Sequence, residues 1–152
     1  MVIARSAEIE QLLEQVQKEH EMYLRALADF DNYRRRVERE SERAVHDGKR
    51  EIILSLLDVL DGFELAREHM NDAPPSLLDG VQAIYRKLQR VLEAQGVTPF
   101  ESRGEPFDPK LHEAVASIKE DVHAPGTVVD QVQRGYRWGD ELLRPARVRV
   151  AA

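Results

Sequence analysis

The chain has no cysteine. Disulfides and thiol-based metal or redox sites are therefore excluded, and the absence fits a reducing cytoplasm. No apolar run reaches 18 residues, so nothing in it reads as a membrane-spanning helix. Nor does the start, Met1-Val2-Ile3-Ala4-Arg5, lead into an apolar signal core. Aromatic residues make up only 6% of the 152 residues. Catalytic patterns are missing as well. There is no Gly-x-Ser-x-Gly elbow and no phosphate-binding loop. His112-Glu113 lacks the second histidine that a zinc helix needs four residues on, and His20, His46, His69 and His123 stand singly. The expectation is a protein that is not an enzyme and has no metal and no cofactor. A net charge of −6 argues against a broad nucleic-acid-binding surface.

Proline is also missing from residues 8–70, where the only glycines are Gly48 and Gly62. That stretch is the organising element. Ile9, Val16, Tyr23, Phe30, Val37 and Ala44 recur every seven residues and are all apolar. Three positions further on stand Leu12, Glu19, Ala26, Tyr33, Glu40 and Asp47, a row that is apolar only in part. The pattern predicts a long helix with one good seam and one imperfect seam. At 1.5 Å per residue, about 60 residues reach roughly 90 Å. No domain of this size buries such a stripe, so a partner helix is required, most simply a second copy. Ile9, Val16, Tyr23, Phe30 and Val37 are the predicted dimer contacts. The outer face mixes both charges, and Arg34-Arg35-Arg36 is its one local basic excess. Three consecutive helical positions point in three directions and make no flat patch.

Beyond Gly48, a place for a weak point or a small bend, apolar density rises through Ile52, Ile53, Leu56, Leu57, Val59, Leu60, Phe63 and Ala66. This stripe is wide enough for burial in a bundle. Asn71-Asp72-Ala73-Pro74-Pro75 ends the helix, and Ser76 is a candidate N-cap for the next. That second helix carries Leu77, Val81, Ile84, Leu88 and Val91 and leaves through Gln95-Gly96. Two such hairpins from two chains would make a four-helix bundle, with Leu56, Leu60, Val81 and Leu88 at the contact.

From Val97 onward prolines and glycines become frequent and short β-type runs appear at 97–101, 114–118, 127–137 and 141–150. Ala124-Pro125-Gly126 and Trp138-Gly139-Asp140 are turn signals. Trp138 reads either as an edge of the β core or as an exposed anchor. The expected organisation is α+β: a long-helix dimerisation rod (1–51), a helical hairpin forming half of a four-helix bundle (52–96), and a small all-β domain (97–152).

The C-terminal third carries a specific pattern. It opens with Phe107-Asp108-Pro109-Lys110-Leu111-His112-Glu113-Ala114-Val115. After a 19-residue spacer it resumes at Gly135-Tyr136-Arg137-Trp138-Gly139-Asp140-Glu141-Leu142-Leu143-Arg144-Pro145-Ala146-Arg147-Val148-Arg149-Val150. This resembles the signature of the GrpE family, the nucleotide-exchange factors of the DnaK chaperone. Asn32-Tyr33-Arg34-Arg35-Arg36, Gly80 and Ala124-Pro125-Gly126 extend the resemblance over nearly the whole chain.

The resemblance implies a parallel homodimer in the cytoplasm whose β domain wedges into the nucleotide-binding domain of a DnaK-type chaperone and lets ADP leave. It implies chaperone contacts at Arg34, Arg43, Gly80, Val132, Arg144, Val148 and Val150. For the three valines the β-core reading stands beside it. Arg43 replaces a lysine and Glu141 an arginine found in relatives. The acidic N-terminal extension common in the family is short or absent here. A thermosensor role for the imperfect seam is a further implication. Two alternatives compete: a dimeric coiled-coil adaptor without exchange activity, and a nucleic-acid-binding dimer using Arg134, Arg137, Arg144, Arg147 and Arg149.

Overall fold

A computed structural model describes all 152 residues. The order is α1 (Val2–Glu68), α2 (Pro75–Ala94), then strands β1 (Val97–Phe100), β2 (His112–Ile118), β3 (Val128–Gln133), β4 (Gly135–Trp138), β5 (Glu141–Arg144) and β6 (Ala146–Ala151). The fold is α+β, with a long N-terminal helix, a second helix and a small C-terminal β domain. The chain divides into two compact units, residues 1–48 and residues 49–152.

The first unit is helix alone. Helical structure continues through Gly48, so the glycine does not break it. Its charges form a ladder one turn apart. Arg34 pairs with Asp31 at 3.3 Å and with Glu38 at 3.2 Å, and Arg35 pairs with Asp31 at 3.0 Å. Exposed pairs of this kind add only a few tenths of a kcal/mol each, about 0.3–0.5.

The second unit holds the core. The last part of α1 and α2 run antiparallel. Arg67 donates to Gln82 and the Tyr85 hydroxyl donates to Glu64. His69 closes the end of α1 through its Nδ1, 2.8 Å from the Leu65 carbonyl. The next helix starts earlier than Ser76. Pro74 is the N-cap, Pro75 takes the first helical position, and no side chain caps the turn. Proline suits that position because its missing N–H would have had no helical partner anyway. At the other end Gly96, with φ +81°, sits in the left-handed position, and its N–H donates to the Glu93 carbonyl.

Two three-stranded sheets follow. One has the order β1-β4-β5 and is antiparallel. The other has the order β2-β6-β3, with β2 parallel and β3 antiparallel to the central β6. The expected runs 127–137 and 141–150 are each two strands in different sheets. The first breaks at Arg134 and the second at Pro145, which has no N–H to give a ladder. Trp138 and Glu141 face each other across a two-residue turn in which Gly139 has φ +59°, the place a type II′ hairpin reserves for glycine. Ala124-Pro125-Gly126 is also a turn, with Gly126 at φ +83° and the Thr127 N–H donating to Ala124.

Ile53, Leu57 and Leu60 from α1 pack with Tyr85 and Leu92 from α2 and with Val97, Tyr136 and Leu143 from the first sheet. One apolar cluster thus joins the hairpin to the β domain. A smaller cluster of Val128, Ala146 and Val148 lies in the second sheet.

Candidate functional site

Two kinds of surface qualify for function: apolar stripes that this chain leaves uncovered, and polar contacts that fix the β domain. The stripes come first. Ile9, Val16, Tyr23, Phe30 and Val37 are all exposed, and Leu13 and Leu27 widen the row. Water contact along so regular an apolar stripe is costly, at about 25 cal/mol for each Å². In the second unit the stripe divides. Ile53, Leu57 and Leu60 face this chain's own core, while Ile52 and Val59 are open. On α2, Tyr85 and Leu92 face inward, while Leu77, Ile84 and Val91, seven residues apart, are exposed.

The predicted contacts therefore fall on different sides. Leu60 is 1% exposed and belongs to the chain's own core. Leu56 and Leu88 are half-buried against that core, and Val81 is intermediate. The open row is Ile52, Val59, Leu77, Ile84 and Val91. The sequence signal for it was present, because Leu77, Ile84 and Val91 repeat at seven. Missing was the choice of which of two adjacent rows α1 and α2 cover for each other.

The predicted partner contacts also separate. Arg34 and Arg43 are exposed on the first unit. Gly80 is exposed on α2, and a Cβ built on it meets nothing within 4 Å. Val132 points outward at 59% exposure and Val150 is half-buried. Val148 is 0% exposed, inside the second-sheet cluster. Arg144 is turned inward. Its side chain is 11% exposed and its guanidinium grips both oxygens of Asp61 on α1, at 2.7 and 2.6 Å.

Asp61 and its neighbours were not legible as a site, because carboxylates on a long charged helix all look alike in sequence. Asp61 also accepts from Gln133 at 2.9 Å. One turn later Glu64 receives Arg134 at 3.1 Å and the Tyr85 hydroxyl at 2.5 Å. Burial first, and then the Glu64 carboxylate, push the Tyr85 phenol well above its ordinary range, so it stays a donor. Arg50 donates twice to the Leu143 carbonyl, at 3.2 and 2.8 Å.

The five late arginines do not form a free basic patch. Arg134, Arg144, Arg147 and Arg149 pair with Glu64, Asp61, Glu113 and Asp130. Arg137 lies over the Phe100 ring, 5.5 Å from its centre. Arg144 and Arg134 are turned toward α1 and Arg149 is held by Asp130, while the Arg147–Glu113 pair is loose, at 3.9 Å, and exposed.

The signature halves meet in the fold. His112 and Ala146 are register partners on β2 and β6. The Ala146 N–H donates to the Leu111 carbonyl. The family model for GrpE matches residues 3–152. The chain belongs to the GrpE family. A GrpE protein of Thermosynechococcus vestitus is 41% identical over 140 residues, 90% of this chain and 56% of that relative. GrpE of Parageobacillus thermoglucosidasius is 38% identical over 150 residues, 97% of this chain and 67% of the relative. GrpE of Geobacillus kaustophilus is 40% identical over 150 residues, 97% and 70% of the two chains. The chain thus spans a little over half to about two thirds of the length of these GrpE relatives. No helix in it is long and apolar enough to cross a membrane.

Proposed function

We propose that this GrpE-family chain is a co-chaperone that accelerates ADP release from a DnaK-type ATPase in the cytoplasm. The family match across residues 3–152, with both signature halves in one β domain, carries this reading. It binds the open form of the nucleotide-binding domain better than the closed form and so shifts the population toward release. It makes and breaks no covalent bond.

The working form is a homodimer. Residues 1–51 supply the rod, residues 52–96 half of a four-helix bundle, and residues 97–152 the chaperone-facing domain. Ile9, Val16, Tyr23, Phe30 and Val37 meet their copies along the rod. In the bundle, exposure favours Ile52, Val59, Leu77, Ile84 and Val91 as the contacting row, with Leu56, Val81 and Leu88 at its margin. Arg34, Arg43, Gly80, Val132 and Val150 are the accessible candidates for chaperone contact. Arg144 and Val148 act from inside, by holding the surface in shape. Nucleic acid has no part in it.

Linkage gives a test of the binding half. A factor that lowers ADP affinity by some ratio must itself bind the ADP-loaded chaperone more weakly than the empty one by the same ratio. Titration calorimetry of both forms should show that difference. Equal affinity for the two would sink the exchange reading.

The uneven seam, with Glu19, Glu40 and Asp47 among its positions, supports a thermosensor role in which the rod melts before the hairpin. Calorimetry should then show two transitions; one cooperative transition would remove the role. A coiled-coil adaptor without exchange activity is the second reading, favoured by the exposed stripes alone.

A further inference from the structure

One apolar cluster joins the hairpin to the β domain. Apolar contact is non-directional, however, and does not by itself fix an angle. The polar contacts across the same junction are directional. They come from one side of α1 at Arg50, Asp61 and Glu64. Arg50 takes the Leu143 carbonyl on β5, an edge strand of the first sheet. Asp61 takes both Nη atoms of Arg144 at the end of the same strand, and the Gln133 amide at the end of β3.

Glu64 takes Arg134, the single residue between β3 and β4, and Tyr85 from α2. All three nitrogens of the Arg144 guanidinium are engaged: besides the two Nη on Asp61, its Nε donates to the Arg134 carbonyl at 2.9 Å, and its Cζ lies 5.2 Å from the centre of the Tyr136 ring. A forked guanidinium on a carboxylate, with its third nitrogen also held, tolerates little rotation.

We propose that Asp61 and Glu64 form a two-point latch, closed by Arg144 and Arg134, that fixes the angle of the β domain on the hairpin. Asp61 is then a positioning residue for exchange. A domain that must push a lobe of its partner outward transmits that push only if its own mounting is stiff. The latch reaches both sheets, through Arg144 on one side and Gln133 on the other, so it holds the β domain as a whole. The exchange arm of this inference rests on the reading proposed above; the angular arm does not.

The absence of cysteine makes the test direct. Ser55 on α1 and Ser117 on β2 are both exposed. Ser55→Cys and Ser117→Cys, spin-labelled and diluted with unlabelled chain, report the angle as an intramolecular distance by pulsed electron resonance. The native latch should give one narrow distance distribution. Asp61→Asn with Glu64→Gln should broaden it about twofold or more, with helical content and Trp138 fluorescence retained, because a neutral side chain cannot hold the forked pair. In ADP release, the maximal acceleration should fall roughly tenfold while chaperone affinity moves less than about threefold, a split that separates positioning from binding.

An unchanged distribution overturns the latch. A broadened distribution with an unchanged maximal rate overturns the positioning role. Should the double variant not fold, Glu64→Gln alone is expected to broaden the distribution, and its failure to do so counts equally against the proposal. If the native protein gives no acceleration, the exchange reading and the positioning role fall together, and the distances alone decide the latch.

Discussion

Gly135 and Phe100 are register partners on β4 and β1, and the Phe100 ring covers the glycine so closely that a Cβ there would fall 2.2 Å from Cζ and 2.5 Å from Cε1. The same Cβ would stand 2.8 Å from the Ala146 backbone nitrogen. Gly135 is thus required by space. Gly135→Ala is expected to destabilise the β domain by about 1–3 kcal/mol, the usual cost of overpacking a filled site. Chemical denaturation followed by the single tryptophan, Trp138, measures it. Gly135→Ala and Phe100→Ala combined should cost less than the sum of the two single changes, since the pair shares one space. Strict additivity would show that the ring is not what excludes the methyl.

Gly80 is the opposite case. Nothing in this chain needs a glycine there, and a glycine inside a helix costs roughly 0.5–1 kcal/mol relative to alanine. Gly80→Ala should therefore raise the melting temperature. If a partner or a second copy approaches at Gly80, the same change should weaken chaperone binding. A variant that is more stable and binds equally well would leave Gly80 without a role in contact.

The two apolar rows of the hairpin predict contrasting mutants. Leu60→Ala opens a cavity in the chain's own core and should cost about 2–5 kcal/mol. Ile84→Asp lies on the open row and should leave the fold of each chain intact while lowering its association. Sedimentation equilibrium with circular dichroism separates these outcomes. A dimer that survives Ile84→Asp unchanged would move the interface off that row.

His112 predicts a pH dependence. Its Nδ1 accepts a hydrogen bond from the Asp108 N–H at 2.9 Å, which requires that nitrogen to be unprotonated. Burial, beside the Phe100 and Phe107 rings, holds its proton affinity below the ordinary value of 6.5, with Asp108 and Glu105 opposing. The unfolded chain then takes up the proton first, so stability falls as the pH drops below about 6.5 and levels off under the folded value. His112→Asn keeps an acceptor near the Nδ1 position and should flatten that slope. Asp130, lowered by its bonds to Arg149, loses its contribution only as the pH falls below the ordinary 3.8, so its loss begins at lower pH than that of His112. An unchanged slope in His112→Asn would assign the dependence elsewhere.

Much of this fold was readable because its signals are local. The proline-free heptads gave α1, the Pro74-Pro75 break gave the second helix, and the turn glycines Gly126 and Gly139 gave corners of the β domain. Long-range choices were not readable. The runs around Arg134 and Pro145 look continuous in sequence, yet each crosses between sheets, and only tertiary pairing decides that. The resemblance implied a chaperone contact for Arg144, and no local signal showed that its side chain turns inward. Its partner, Asp61, lies 83 positions away. Val148 alternates correctly along β6, but alternation does not say which face is inside.

The measurement closest to the central claim is stopped-flow release of a fluorescent ADP analogue from the cognate DnaK-type chaperone, with and without the dimer. Acceleration by orders of magnitude is expected, reduced when Gly80 or the outward β-domain surface at Val132 is altered. No acceleration by a confirmed dimer, on a chaperone that binds the analogue normally, would contradict it and leave the rod-shaped adaptor as the remaining reading.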